Sequence, residues 1–172
     1  MPPEVKLVDY DPQWAVQFEL ERAILQEILG NKAVAIEHIG STSVQGLAAK
    51  PIIDIALAVK NLTEADAFIV PLQSFDYEYV PKEDFPARRF FRKGEWRKGT
   101  HHLHIYEEGS EEWENKLLFR NYLRNFPDLV IQYADLKKKL AILYAEDRSV
   151  YTAKKDPFIQ EIIRRAQNER FE

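Results

Sequence analysis

Apolar residues recur every three or four positions near both ends of the chain, and as short alternating or continuous runs between them. The first helical stretch is DYDPQWAVQFELERAILQEILG, where Trp14, Phe18, Leu25 and Leu29, with Ala15, Ala23 and Ile28, recur at helical spacing. Asp11 suits its N-cap, Pro12 its first turn and Gly30 its stop. Two runs follow, AVAIEHI (33–39) and IIDIALAV (52–59), apolar on both faces as strands covered on both sides should be. Thr63 is placed to cap a helix over EADAFIVPLQS, which Pro71 ends or bends. YEYV (77–80) predicts a short strand. RRFFRK (88–93), the Gly94–Gly99 loop and THHLHIY (100–106) predict an antiparallel hairpin. After Gly109 the period becomes helical. Ser110 caps a helix with Glu111, Glu112 and Glu114 in its first turn, running to about Asn125. Pro127 opens another, with Leu129, Tyr133, Leu136, Leu140 and Leu143 at helical spacing, and Asp156–Pro157 opens the last. Their order predicts an α+β fold, or an α/β fold with segregated helices: a mixed sheet with flanking helices and a C-terminal helical segment.

Composition changes this picture little. The 172 residues suit one domain, and a net charge of −4 argues against a surface that coats nucleic acid. The lack of cysteine excludes disulfides and thiolate metal sites. The N-terminus does not read as a signal peptide, and no apolar run approaches the roughly 20 residues that span a bilayer. The expectation is a soluble, cytoplasmic protein with no membrane partner.

The candidate chemistry begins in EHIGSTSVQGLAAKPIIDI, Glu37 to Ile55. Gly40 permits close approach of a phosphate to backbone N–H groups; Ser41, Thr42 and Ser43 add donors, and Lys50 adds charge. The stretch is no P-loop, because Leu47 follows Gly46 where a Lys-Ser/Thr pair is required. It carries neither G-x-G-x-x-G nor G-x-S-x-G. The competing reading is a tight turn whose hydroxyls satisfy its own backbone. Asp54 interrupts an apolar strand, where a carboxylate needs a partner or a metal. It shares a face with Ala56 and Ala58, whose small side chains leave room beside it.

His102 and His104 share one strand face, with His101 and Leu103 on the other. If that strand lies beside the one carrying Asp54, the three side chains make a carboxylate–imidazole metal site, or one histidine serves as a general base. Otherwise they are polar residues of a sheet surface. Glu37 is placed to contact the site, to brace Lys50, or to form a structural ion pair. From Lys82 to His104 seven Lys/Arg face three acids, a local +4, with Phe90, Phe91 and Trp96 between them. Arg89 and Arg92 in this stretch fit a triphosphate or RNA clamp, or a charge-guarded edge hairpin. Arg120 and Arg124, one helical turn apart, fit a phosphate clamp or salt bridges to nearby glutamates.

The stretches YDPQWAVQFELE, IEHIGSTSVQGLAAKPIIDI, HHLHIY and LLFRNYLRNFPDLVIQYADLKKKLA together resemble the GrpB-like family, placed in the nucleotidyltransferase superfamily of the DNA polymerase β type. The resemblance covers nearly the whole chain. It implies one domain over 1–172, with a sheet core to about 108 and helices from about 109. It further implies a Gly-Ser turn that grips phosphates, here Gly40-Ser41, and, after twelve intervening residues, a strand carrying Asp-x-Asp/Glu, here at Asp54. In active members these carboxylates, with a third from a later strand, hold two divalent ions. The second acidic position here is Ala56. The resemblance thus implies a protein that binds a nucleotide, or another phosphorylated small molecule, with a divalent metal such as Mg or Mn (or Zn at the histidines). Catalysis falls to Asp54 and His104, either in nucleotidyl transfer or in a hydrolase or transferase that uses the histidines. The alternative is a non-catalytic binder or regulator.

Overall fold

The computed structural model describes residues 5–95 and 98–169. Helix α1 (Gln13–Leu29) leads into β1 (Ala35–Ile39), a 3₁₀ turn (Ser41–Ser43) and β2 (Ile53–Val59). A 3₁₀ segment (Leu62–Phe68) runs into the short α2 (Ile69–Gln73), then β3 (Tyr77–Tyr79), β4 (Arg88–Glu95) and β5 (Lys98–Glu107). Helices α3 (Glu111–Asn125), α4 (Pro127–Leu143) and α5 (Arg148–Glu169) complete the chain. The five strands form one mixed sheet in the order β1-β2-β5-β4-β3. Only the β2–β5 pair is parallel. The α+β architecture and the antiparallel β4–β5 hairpin are those expected.

The two apolar faces of β2 find separate partners. Ile53, Ile55, Leu57 and Val59 pack with Leu103, Ile105 and Phe91 beneath Trp14, Phe18, Leu25 and Leu29 of α1. Each fully buried side chain of this kind contributes about 1.5–3 kcal/mol. On the opposite face Ala56 and Ala58 join Ile39 and Tyr106 under Trp113 of α3. The three C-terminal helices share a core of their own, in which Leu123, Leu129, Val130, Tyr133 and Ile162 meet Val44 and Leu47 from the connection before β2. The helical layer therefore lies over the face that carries Asp54.

Several local expectations are corrected. Asn61, not Thr63, caps the 3₁₀ segment: its Oδ1 accepts from the Thr63 N–H at 3.1 Å. Pro71 lies in the first turn of α2, where a missing N–H is harmless. The last helix begins at Arg148 and runs through Pro157. Burial of Tyr151 before the proline and of Ile162, Ile163 and Ala166 after it holds both halves in one helix, so packing overrides the usual role of proline as a helix start. Strands β4 and β5 extend to Glu95 and from Lys98 into the expected loop, with the register shifting at Lys93/Gly94. Trp96 and Arg97 lie outside the described residues. Among the described residues no helix is long and apolar enough to cross a membrane.

Candidate functional site

Strand register assembles the site. Parallel pairing sets Asp54 opposite His102 and Ala56 opposite His104. Antiparallel pairing sets Ile39 opposite Asp54 and Glu37 opposite Ala56. Alternation then points Glu37, Asp54, His102 and His104 to the face covered by α3–α5. His102 Nδ1 lies 3.5 Å and His104 Nε2 3.4 Å from Asp54 Oδ1. The ligand atoms of these three residues fall within 4.8 Å of one another, the arrangement anticipated from the histidine spacing. The small Ala56 leaves the His104 ring free to reach Asp54 diagonally.

Burial alone would raise the Asp54 pKa. Hydrogen bonds and charge from His102 and His104 outweigh it and hold the carboxyl well below the usual carboxylate range. The His104 pKa is lowered, because burial outweighs the attraction of Asp54, so the ring is neutral at neutral pH. Arg88 Nη1 donates to His104 Nδ1 at 3.3 Å. Since arginine only donates, Nδ1 is the acceptor, and the N–H of this neutral ring sits at Nε2, facing Asp54.

The turn before β2 is built around this carboxylate. Gly40 has φ +73°, and a Cβ there would stand 2.5 Å from Asp54 Oδ2. Glycine is required twice at this position, for its backbone angle and for the approach of Asp54. The three hydroxyls divide their roles. Thr42 Oγ1 meets His38 Nε2 at 2.9 Å, and Ser43 Oγ donates to Gly40 O at 2.5 Å. Both residues are buried, so the self-satisfied turn describes them. Ser41 instead accepts from Lys137 Nζ at 2.7 Å.

Two connected spaces adjoin Asp54, both lined by Ser41 and Lys155. A pocket of about 140 Å³ is lined further by Lys50, Lys137 and Tyr151. A cleft of about 560 Å³ runs between the sheet and α3–α5 past Arg88, His104, Glu112, Lys116 and Asp156. Their walls carry five cations (Lys50, Arg88, Lys116, Lys137, Lys155) against three carboxylates (Asp54, Glu112, Asp156). Lys137 is only 2% exposed. Burial, aided by the charges of Lys155 and Lys50, lowers its pKa to about 7, and burial with the charge of Lys50 lowers that of Lys155 to about 8. Burial also lowers Lys50 and Lys116, against the pull of Asp54 on both.

Other expected site residues are spent elsewhere. Glu37 does not brace Lys50; its Oε2 accepts from Arg120 Nη1 at 2.6 Å, as the ion-pair reading had it. Arg120 also donates to His38 O, and Arg124 donates twice to Ser43 O, at 3.0 and 2.8 Å. These two arginines pin α3 to the turn and are not free to clamp a phosphate. Arg89, opposite Ile105, projects from the other sheet face and pairs with Asp66. Arg92 shares the face of His102 but pairs with Glu78. In this basic stretch Arg89, Arg92 and Lys93 are thus each paired with a carboxylate. Lys116, Lys137 and Lys155 were missed: Lys137 is one of three consecutive lysines, and helical spacing alone gives no sign that it points inward.

With this geometry in hand, comparison places the chain among known proteins. Residues 4–165 match the family described as GrpB protein. The UPF0157 protein YqkA of Bacillus subtilis (strain 168) is 38% identical over 157 residues, 91% of this chain and 46% of its own length. The chain therefore spans about half of that relative. The crystal structure of conserved protein GrpB from Enterococcus faecalis superposes with a TM-score of 0.90 at 39% identity, covering 97% of this chain and 100% of that one. The Cid1 poly(U) polymerase crystal structure with MgGTP bound superposes with a TM-score of 0.52 at 18% identity, covering 77% of this chain and 44% of that one. That second likeness is one of fold, the nucleotidyltransferase fold.

Proposed function

The chain belongs to the GrpB family, and we propose that it binds a nucleotide or other phosphorylated small molecule in the cleft beside Asp54. The observation that carries this reading is the surplus of cations around one carboxylate, with Lys137 buried and Lys50 and Lys155 half-buried. Lysines are rarely buried unpaired, because a desolvated charge is costly. Asp54 attracts all four of Lys50, Lys116, Lys137 and Lys155, while, beyond burial, Lys155 and Lys50 lower the pKa of Lys137, Lys50 and Lys116 that of Lys155, Arg148 that of Lys50 and Arg88 that of Lys116. A polyphosphate supplies the missing negative charge. The MgGTP bound in that Cid1 poly(U) polymerase structure, and the fold shared with it, agree with this reading. In our reading the phosphates lie against Lys50, Lys137, Lys155 and the Gly40–Ser41 turn, with Lys116 further along the cleft. Heating the protein with and without ATP, pyrophosphate and adenosine tests it. The two phosphorylated compounds should raise the melting temperature and adenosine should not; equal melting in all three sinks the reading.

Standard nucleotidyl transfer with two magnesium ions does not fit the residues present. Position 56 has no carboxylate, and β5 presents His102, His104 and Tyr106 to this face where an acid would be needed. Magnesium prefers oxygen ligands. A second reading, one transition-metal ion on Asp54, His102 and His104, is favoured by their mutual distances. The set of two imidazoles and one carboxylate suits zinc, manganese or iron. Such an ion would supply Lewis acidity to a bound phosphate. The chain's own contribution is to hold the three ligands on two paired strands. Arg88 opposes the ion, because its donation to Nδ1 leaves the proton of His104 on Nε2. Elemental analysis after incubation with Zn²⁺ or Mn²⁺ decides: a retained equivalent lost in Asp54→Ala supports the metal, and none retained excludes it.

A further inference from the structure

We propose that Ser41 and Lys137 form a nucleophile–base pair, in which Ser41 Oγ attacks the phosphorus of a phosphate ester or anhydride in the cleft and Lys137 Nζ accepts its proton. Of the three turn hydroxyls, Ser41 alone among the described contacts meets an amine; those of Thr42 and Ser43 are tied to His38 and to Gly40 O. Nζ and Oγ lie 2.7 Å apart, within the range for direct proton transfer. Lys137 is anchored in α4 with its ammonium nitrogen 5.0 Å from the centre of the Tyr133 ring and almost no exposure, so its head group is held on Ser41.

The surroundings favour the free amine. Lys50, Asp54, Tyr151 and Lys155 line the pocket with Lys137, and Tyr133 faces it from its own helix. Burial and the two neighbouring lysines bring Lys137 to about 7, so near neutral pH the unliganded protein includes molecules with a free amine that accepts a proton. A lysine of this kind activating a serine is a known variant of the nucleophile–base arrangement. The bonds balance. The Oγ–P bond forms as the P–O bond to the leaving group breaks; the electron pair departs on that oxygen, next to Lys155 and Lys50. The proton moves from Oγ to Nζ. The product is a phosphoserine ester or diester at position 41.

The inference rests on the phosphate-binding reading only for the identity of the group transferred, and its test does not need a nucleotide. A fluorophosphonate reports an activated serine directly: Oγ–P forms, P–F breaks and fluoride leaves. Peptide mapping of the treated protein should place the adduct on Ser41. Ser41→Ala should abolish it, and Lys137→Met should slow it about a hundredfold. Lys137→Met replaces a buried ammonium with an apolar chain of similar length, so it retains the fold even if Ser41→Ala does not. No adduct on Ser41, or equal rates with Lys137→Met, overturns the pair. Calorimetry with ATP on the same sample separates the two claims. Binding without labelling removes the pair and leaves the phosphate site; labelling without binding does the reverse.

Discussion

Replacing Gly40 with alanine should dislodge Asp54. The added Cβ would stand 2.5 Å from Oδ2, 3.0 Å from Cβ and 3.1 Å from Cγ of Asp54, so the carboxylate must shift from its place. The backbone adds its own penalty: φ +73° with ψ −175° is a region used almost only by glycine, and strain there costs about 1–3 kcal/mol. Moving the carboxylate away from His102 and His104 loses charged hydrogen bonds worth about 1.5–3 kcal/mol. The sum, about 2.5–6 kcal/mol, lowers the melting temperature by about 5–24 °C for a chain of this size. Gly46→Ala is the control: its φ is +86° but a Cβ there meets nothing within 4 Å, so it carries the backbone penalty alone. Thermal melts of Gly40→Ala, Gly46→Ala, Asp54→Ala and the Gly40→Ala/Asp54→Ala pair decide. Gly40→Ala should melt well below Gly46→Ala, and adding Asp54→Ala should recover about 1 kcal/mol or more, since only the 3.0 Å contact to Cβ then remains. Equal melting of the two glycine variants would refute the claim that the turn is shaped to Asp54.

Other outcomes follow from the same contacts. Lys137 has a folded pKa of about 7, below its ordinary 10.5, so from pH 7 to 10.5 only the unfolded chain holds that proton and stability rises with pH; Lys137→Met should flatten this rise and melt higher at pH 7 without ligand. Bound phosphate favours the charged amine, so ATP affinity should weaken as pH climbs above 7. His38 falls to about 4 through burial, so acidification from 6.5 to 4 protonates the unfolded chain first and removes up to about 3 kcal/mol, a loss absent in His38→Gln. Arg88→Met frees His104 Nδ1 and should tighten Zn²⁺ binding, measured by competition with a chromophoric chelator; weaker or unchanged binding contradicts the tautomer assigned to His104. Arg120→Ala should destabilise the fold by about 1.5–3 kcal/mol while changing ATP affinity less than Lys155→Met does.

The sheet side of the site was legible because its information is local. Side-chain alternation placed His102 with His104 and away from His101, and the apolar surroundings of Asp54 marked it as unusual. The helical side was not legible. Lys137 and Lys155 sit in KKK and KK runs, where each neighbour has the same composition, and only the docking of α4 and α5 decides which lysine turns inward. The arginines misled for a related reason. Arg120 and Arg124 share a helix face as their spacing says, but that face meets the carbonyls of His38 and Ser43 and the carboxylate of Glu37, contacts fixed by packing. Ala56 kept its significance. The structure fills the region beside it with the His104 imidazole rather than a carboxylate, which moves the chemistry away from two-magnesium transfer.

In our reading the lysines around Asp54 hold a phosphorylated ligand. Calorimetric titration of ATP into the wild type and into Lys155→Met tests it most directly. Saturable one-to-one binding to the wild type, no binding of adenosine, and affinity about tenfold or more weaker in Lys155→Met are expected, as for the loss of one charged contact. No heat from ATP or pyrophosphate, or equal affinity in the two proteins, would contradict this reading.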